Sequence, residues 1–166
     1  MPTGLFRPFQ RIAISSLPSA LRSFHSTSPN MVVHNVRSAE EFNTIIKEKP
    51  FVLVDAFATW CGPCKTMAPA LLKHSEDSAN KGIHFIKIDV DELPDVSQEL
   101  NIRSMPTFII FNNGKRAQEV VGANLKGLRN LVETVAPEAL EEVTKAEEAK
   151  KKAEEAKKKA EEAKEG

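Results

Sequence analysis

The 166-residue sequence contains no tyrosine, one tryptophan and two cysteines, and its 23 basic residues are balanced by 23 acidic ones. Its uncharged apolar runs are far shorter than the roughly 20 residues that a membrane-spanning helix needs, which excludes a transmembrane protein. Two cysteines are too few for the multi-disulfide framework of a small secreted domain. A net charge of zero without a concentrated basic surface argues against nucleic acid as the main partner. These absences leave one domain of about 110 residues with a segment at each end.

The charges are unevenly distributed along the chain. Residues 1–31 contain three arginines and no acidic residue, residues 32–145 carry 13 basic and 16 acidic residues, and residues 146–166 contain seven lysines and seven glutamates. An amphipathic N-terminal segment that is rich in Arg and Ser and lacks acids is typical of a mitochondrial transit peptide. We therefore predict that residues 1–31 are a cleaved transit peptide and that the mature protein is in the mitochondrial matrix. The alternative is a disordered tail on a cytoplasmic protein.

The end of this segment contains a candidate processing site. The sequence RSFHST at Arg22–Thr27 resembles the sites that mitochondrial processing peptidases cut, and it fits a first cut after Ser23 with trimming as far as Met31. A secretory signal would need an unbroken apolar centre of about 7–15 residues, which Arg11 and Pro18 interrupt.

Between the two ends, the hydrophobic pattern predicts alternating strands and helices. Ser38 and Glu41 have the spacing of a capping box that begins a helix, and Pro69 predicts a kink inside the following helix. The apolar run at Phe51–Ala58 is suited to a strand buried on both faces. The predicted strands are 32–36, 51–58, 83–90, 106–111 and 115–121, and the predicted helices are 38–48, 62–79, 96–100 and 125–135. This order predicts an α/β sandwich whose sheet is parallel at first and ends in an antiparallel hairpin.

The residues that can carry chemistry lie together in the sequence WCGPCK at Trp60–Lys65, where a buried strand meets the start of a helix. Two cysteines three apart at a helix start face the same side and can close a small disulfide ring. Cys61 lies at the entry to the first turn, where unpaired amides and the helix dipole favour negative charge, so we expect a lowered thiol pKa and a nucleophilic role. Cys64 lies a turn further in and is expected to be less exposed, as suits the resolving thiol. Gly62 permits the tight turn, Pro63 fixes the first helical turn, and together they bias the redox potential.

Other uses of the two cysteines fit the sequence less well. A structural disulfide that closes so short a ring would remove little chain entropy from the unfolded state. A zinc site would need two more ligands, and the histidines of the chain show no metal spacing. Asp89, Asp91 and Glu92 suggest a calcium loop, but they lack its glycine and its spacing. We therefore predict redox chemistry without a metal.

With this motif, the chain resembles the thioredoxin family from about Val32 to Val135. WCGPCK is supported by Asp55 upstream and by Met105–Thr107 and Val121–Ala123 downstream. The resemblance implies a central five-stranded mixed sheet flanked by four helices, within a domain at residues 32–136. It further implies protein disulfides as substrates, no bound cofactor, and electrons from NADPH through a thioredoxin reductase.

Two charged residues in the predicted strands match residues of the family that handle protons. Asp55 interrupts an apolar run, and a buried carboxylate is costly unless it has a function or a partner. The resemblance implies that Asp55, with its pKa raised by desolvation, takes the proton from Cys64; an aspartate bound to backbone amides at a strand kink is the alternative. Lys87 matches the lysine that moderates the pKa of this aspartate, with a surface lysine on an edge-facing position as the alternative.

The resemblance also implies a docking surface for substrates. Pro106 matches the cis proline that lies opposite the disulfide in the family, and Met105 would offer its backbone groups to an extended substrate segment. Phe57 stands where many members carry a second tryptophan, a departure that we expect not to affect the chemistry. The predicted docking patch consists of Trp60, Pro63, Met105, Gly122 and Ala123.

The C-terminal segment repeats AEEAKKK with a period of seven from Ala146. Glu147 and Lys151 form one of four i,i+4 pairs in the favourable orientation, each worth ~0.3–0.5 kcal/mol, and alanine is the best helix former. We expect residues 137–166 to form a solvated, semi-rigid helix on a monomeric protein. The alanines fall on heptad a and d positions, so a weak coiled coil is the alternative.

Taken together, these patterns predict a mitochondrial-type protein-disulfide reductase that cycles between the dithiol and disulfide forms of Cys61–Cys64 and contributes to redox homeostasis. Its Gly62–Pro63 loop differs from isomerase-like and glutaredoxin-like loops, which favours reduction. The expected partners are a thioredoxin reductase and disulfide-containing proteins such as peroxiredoxins and reductases. Two other functions are compatible with the sequence: a binding or chaperone-like domain whose tail recruits a partner, and a redox-sensing scaffold whose tail controls association.

Overall fold

A computed structural model describes the backbone of residues 33–162 and the side chains of residues 33–156. The predicted transit peptide and its processing site lie outside these residues. The elements in chain order are β1 (His34–Val36), α1 (Ala39–Glu48), β2 (Phe51–Phe57), α2 (Gly62–Glu76), a 3₁₀ turn (Ser78–Asn80), β3 (Ile83–Asp89), α3 (Pro94–Glu99), β4 (Thr107–Asn112), β5 (Lys115–Val121) and α4 (Leu125–Glu162).

The five strands form one mixed sheet in the order β1-β3-β2-β4-β5. Strands β1 and β2 pair in parallel with β3, whereas β4 is antiparallel to both β2 and β5. The hairpin between β4 and β5 turns at Asn113 and Gly114, whose φ angles of 48° and 78° are those of the turn that matches the twist of two paired strands. The predicted five-stranded α/β fold is confirmed.

The apolar side chains form a separate core on each face of the sheet. Central strand β2 supplies both cores, because its alternate residues point to opposite faces. Val52 and Val54 pack with helices α1 and α3, and Phe51 and Leu53 pack with helices α2 and α4. Each of these side chains is at most 1% exposed, and burying one such side chain stabilises the fold by roughly 1.5–3 kcal/mol.

Two local predictions differ from the structure. Ser38 caps α1, since its Oγ accepts a hydrogen bond of 3.1 Å from the Glu41 amide. The Glu41 carboxylate does not close the box on Ser38: it accepts from the Arg37 amide at 2.8 Å and pairs with His34 at 2.7 Å. Helix α2 ends at Glu76 rather than near residue 79, because the Asp77 carboxylate accepts from the Ala79 amide and begins the 3₁₀ turn.

The last helix of the domain and the C-terminal repeat form one continuous helix, α4, rather than two separate helices. It spans 38 residues and passes through Pro137 without a break. Ala139, which lies beyond this proline, is 0% exposed and belongs to the same core as Leu131 and Val135. The base of the repeat segment is thus packed on the domain, whereas the side chains of residues 144–156 are exposed. None of the helices between residues 33 and 162 has the length and apolar composition needed to cross a bilayer.

We predict that Gly82→Ala destabilises the protein by about 1–3 kcal/mol or more, because α4 passes directly over this glycine. A Cβ atom at position 82 would lie 2.0 Å from the backbone oxygen of Ala139, so the helix would have to move. Urea denaturation of the oxidised protein measures the loss. Gly62→Ala is the matched control, since a Cβ there meets no atom within 4 Å. Equal stability of the two variants would show that α4 does not dock at Gly82.

Candidate active site

The two cysteines form a disulfide at the junction of β2 and α2. Their sulfur atoms are 2.05 Å apart and their Cα atoms 5.3 Å apart. Cys61 is the residue that caps α2, and its Sγ accepts a hydrogen bond of 3.2 Å from the Cys64 amide. The predicted pairing and its place at a helix N-terminus are therefore confirmed. The amide that contacts the Cys61 sulfur is one of the donors that a helix start leaves without a partner.

The expected difference in exposure between the two cysteines is wrong for the disulfide form. Cys61 is 4% exposed and Cys64 is 6% exposed. Both pack in one small cluster with Ala58, and Met105 and Val90 lie against that cluster. The disulfide bond holds both side chains in the same buried cluster. Their exposed fractions therefore do not distinguish the nucleophile from the resolving thiol in this form.

The two residues between the cysteines lie in the first turn of α2. Pro63 lies in the first turn of α2, where a missing amide proton costs nothing. Gly62 has a φ angle outside the left-handed region, and a Cβ at this position would meet no atom within 4 Å. Residue 62 is the first residue of α2, so its backbone is helical.

Asp55 lies in the middle of β2, and its side chain points towards the disulfide side of the sheet. The residue is 7% exposed, and its Oδ1 atom is buried without a hydrogen-bond partner. Burial raises the pKa of Asp55 to about 7, against a smaller opposing effect of the Lys87 charge. The alternative of an aspartate held by backbone amides does not account for the unpartnered oxygen.

Asp55 and Cys64 line the same cavity. Its volume is about 250 Å³, and Phe57, Lys65 and Lys87 also contribute to its walls. A cavity that both side chains line has room for water, through which a proton can pass from one group to the other. The structure thus brings together the two residues that the sequence assigned to the resolving step.

Lys87 lies opposite Asp55 in the register of β3 with β2. Strand β3 is internal to the sheet and Lys87 is half-buried, so the alternative of an edge-facing surface lysine is wrong. Its Nζ atom lies over the Phe57 ring, 5.2 Å from the ring centroid, and forms no ion pair with Asp55. The influence of Lys87 on the carboxyl group is therefore exerted across the cavity rather than through direct contact.

Three residues of the predicted docking patch lie beside the cysteines: Trp60 and Pro63 are next to them in sequence, and Met105 packs against them. The Met105–Pro106 peptide bond is cis, as expected. The Pro106 carbonyl accepts a hydrogen bond of 2.7 Å from the Gly122 amide, which ties the two segments of the patch together. Trp60 is 66% exposed beside the disulfide, and Ala123 and Pro63 are also exposed.

Sequence reasoning missed two residues of this surface. Asp91 accepts a hydrogen bond of 2.8 Å from the Trp60 indole Nε1, which fixes the ring. The sequence presented Asp91 only as part of a rejected calcium loop, and no local pattern links it to a residue 31 positions away. Val121 is 55% exposed and lies next to Gly122, where it adds apolar surface. Across residues 33–156, no group of three His, Cys, Asp or Glu side chains is arranged to hold a metal ion.

Comparisons with known proteins agree on one family. The thioredoxin family model matches residues 32–136. Thioredoxin-2 of Pyricularia oryzae is 43% identical over 140 residues, which cover 81% of this chain and 81% of that protein. The mitochondrial thioredoxin-3 of Saccharomyces cerevisiae is 35% identical over 130 residues, which cover 76% of this chain and 98% of that protein.

Solved structures give the same result. A thioredoxin of Malassezia sympodialis has a TM-score of 0.60 at 38% identity, over 63% of this chain and 90% of that chain. Oxidised mitochondrial thioredoxin 3 of Saccharomyces cerevisiae has a TM-score of 0.58 at 35% identity, over 61% of this chain and 94% of that chain. The chain belongs to the thioredoxin family of thiol–disulfide oxidoreductases, and Cys61–Cys64 is its redox-active centre.

Proposed function

We propose that this chain reduces protein disulfides in the mitochondrial matrix, with Cys61 as nucleophile, Cys64 as resolving thiol and Asp55 as general base. One observation carries the assignment of roles: the disulfide caps a helix on one side and shares a cavity with a buried carboxyl group on the other. Only Cys61 receives a hydrogen bond from the helix start, and Cys64 lines the cavity with Asp55.

In the reduced protein, the Cys61 thiolate attacks one sulfur of a substrate disulfide. A Cys61–substrate disulfide forms and the other substrate sulfur leaves as a thiolate. Cys64 then gives its proton to Asp55 and attacks the Cys61 sulfur, which releases the second substrate sulfur and closes the Cys61–Cys64 disulfide. Two electrons have passed to the substrate. The amide that contacts the Cys61 sulfur in the disulfide is placed to stabilise a thiolate on the same atom.

Asp55 suits the role of base because its proton affinity matches the task. A carboxyl group with a pKa of about 7 is partly ionised at neutral pH, and it holds an accepted proton more firmly than an exposed carboxylate does. Lys87 limits the rise caused by burial, so the carboxyl group does not remain protonated throughout the neutral range.

The substrate binds along the docking patch. Trp60 and Val121 offer apolar surface at either side, and the half-buried Met105 offers backbone groups to an extended segment. The side chains of Pro63 and Ala123 complete a surface with little charge. Such a surface accepts many partner sequences because it contains few groups that must be paired.

Regeneration needs an external reductant, because thioredoxins act without a bound cofactor. We infer a thioredoxin reductase that takes electrons from NADPH, and a Gly62–Pro63 loop that keeps the potential reducing. Peroxiredoxins are proposed substrates. One matched chain, at 34% identity and a TM-score of 0.58, comes from a structure concerned with thiol resolution in a yeast mitochondrial 1-Cys peroxiredoxin via glutathione/thioredoxin systems.

We further infer that the protein is a monomer despite its heptad repeat. When Ala146 and Ala149 occupy positions a and d, Lys150 and Lys152 occupy e and g. A second copy would therefore place lysines against lysines along an alanine seam, in either orientation, and an alanine seam buries little surface. The repeat is a solvated helical extension of the domain.

We predict that Cys64→Ser traps a substrate on Cys61. With reduced variant and insulin as the disulfide substrate, mass spectrometry should find one covalent adduct per chain, because the second attack has lost its sulfur. Cys61→Ser, which keeps Cys64, is the matched control and should form no adduct. Binding of partners at the same affinity by wild type and Cys61→Ser, without insulin reduction by wild type, would indicate a binding module.

We predict that Asp55→Asn slows the resolving step on the order of 100-fold while the first attack keeps its rate. An aromatic disulfide whose two halves absorb when released separates the steps, since the first half leaves on attack and the second on resolution. In wild type, the rate of the second step should fall as pH drops below about 7, the pKa of Asp55. Equal slowing of both steps would contradict the role of a base for Cys64.

A stability measurement on the same variant tests whether unfolding causes the slower resolving step. The pKa of Asp55 rises from 3.8 in the unfolded chain to about 7 in the fold, so the folded state binds this proton more tightly. Wild type therefore loses stability as pH rises from about 4 to about 7, by roughly 4 kcal/mol in total. Oxidised Asp55→Asn should be the more stable protein at pH 8 and show no such advantage below pH 4.

We predict that the endogenous protein is shortened at its N-terminus. N-terminal sequencing of protein from purified mitochondria should give a start between Phe24 and Met31. A chain that begins at Met1 or Pro2 and fractionates with the cytosol would contradict both the compartment and the processing site.

A further inference from the structure

Lys87 occupies the middle of a row of three polar side chains across the sheet. Asn35 of β1 and Asp55 of β2 both lie opposite Lys87 of β3 in the parallel registers. The Oδ1 atoms of Asn35 and Asp55 are buried without a hydrogen-bond partner in the protein, and no other side-chain nitrogen or oxygen atom of residues 33–156 is in this state. An ammonium group carries three donors, so Lys87 lies between two oxygens that each lack one.

The Lys87 ammonium nevertheless donates to neither oxygen. Its Nζ atom lies over the face of the Phe57 ring, 5.2 Å from the centroid, within the range of a cation–π interaction. Phe57 follows Asp55 by two residues in β2, so both side chains are on the same face of the sheet, and both line the cavity with Cys64. The ring is therefore the group that holds the ammonium in its observed place.

We propose that Phe57 is a positioning residue for the redox reaction: its ring holds the Lys87 ammonium and keeps it from pairing directly with the Asp55 carboxylate. The proposal rests on the role of Asp55 as base. A direct ion pair would stabilise the carboxylate and make it a weaker proton acceptor, whereas an ammonium on the ring acts on it only at longer range. Phe57 thus preserves the proton affinity that the resolving step requires.

Besides Lys87, the walls of this cavity carry one other charged side chain that could face Asp55, Lys65 of helix α2, which lies there with Cys64. The pKa of Asp55 responds to burial and to the Lys87 charge, and not to Lys65. The partner of Asp55 on β4 is the apolar Phe108, and β1 contributes the neutral Asn35 to the row. Burial raises the pKa of Asp55, and Lys87 is the charge that opposes the rise. The position of the Lys87 ammonium therefore determines how far the pKa of Asp55 is lowered from the value that burial alone would give.

The test is the titration of Asp55 in the oxidised protein, followed through the NMR shift of its side-chain carboxyl carbon. A disulfide does not titrate, so the curve is not coupled to Cys64. In Phe57→Leu, which lacks the ring, we expect the midpoint to fall by about one pH unit as the ammonium reaches the carboxylate. Phe57→Met repeats the test with a side chain that fills the space more flexibly. Phe57→Trp retains an aromatic face and should restore the wild-type midpoint.

A variant without the Lys87 ammonium shows whether Phe57 acts on Asp55 by positioning that ammonium or by its own packing. Lys87→Met should raise the midpoint, and Phe57→Leu should have no further effect in that background. A midpoint that stays constant or rises in Phe57→Leu and Phe57→Met overturns the proposal, and so does an equal fall with and without Lys87. An unchanged midpoint in Lys87→Met overturns it as well. Failure of Asp55 as a base is detected separately, by the kinetics of Asp55→Asn, because the titration measures only the carboxyl group and its lysine.

Discussion

The burial of one carboxyl group, that of Asp55, is the constraint on which the rest of this structure depends. Asp55 is 7% exposed in the central strand of the sheet, and its pKa is raised from 3.8 to about 7. Keeping it ionised there costs roughly 4 kcal/mol relative to the unfolded chain, a large part of the 5–15 kcal/mol that typically stabilises a small domain. The two apolar cores on either face of β2, a strand in which six of the seven residues are buried, offset this cost.

Much of this arrangement could be predicted from the sequence because the signals are local. The apolar run at Phe51–Phe57 favours a strand buried on both faces, and a single Asp inside such a run is conspicuous. Asn113 and Gly114 specify their hairpin through the backbone angles that they tolerate. The spacing of Cys61 and Cys64, together with the proline between them, indicates thiol–disulfide chemistry. In each case the physical cause lies within a few residues of the feature.

The parts that could not be predicted depend on contacts between distant segments. Nothing near Asp91 indicates that its carboxylate fixes the Trp60 indole, because the two residues meet only after β2 and β3 have paired. Pro137 is a plausible end for a helix, yet burial of Ala139 in the core outweighs the hydrogen bond that the proline removes. The Glu41 carboxylate is expected from the capping box to accept a hydrogen bond from the Ser38 amide. It accepts one from the Arg37 amide instead and pairs with His34, which the fold brings near.

The redox disulfide and the packing contact between α4 and Gly82 lie at opposite ends of the parallel strands. The carboxyl end of β2 lies beside the disulfide, whereas the amino end of β3 begins next to Gly82, where α4 packs. The seven residues of β2 separate the two ends by about 20 Å. Helix α4 begins two residues after the docking patch and continues past the opposite end of the sheet, so its added length contributes buried surface only far from the redox centre. A C-terminal extension on this helix can therefore change without altering the geometry around Asp55 and Cys64, which is the condition under which such a repeat can be appended to a working reductase.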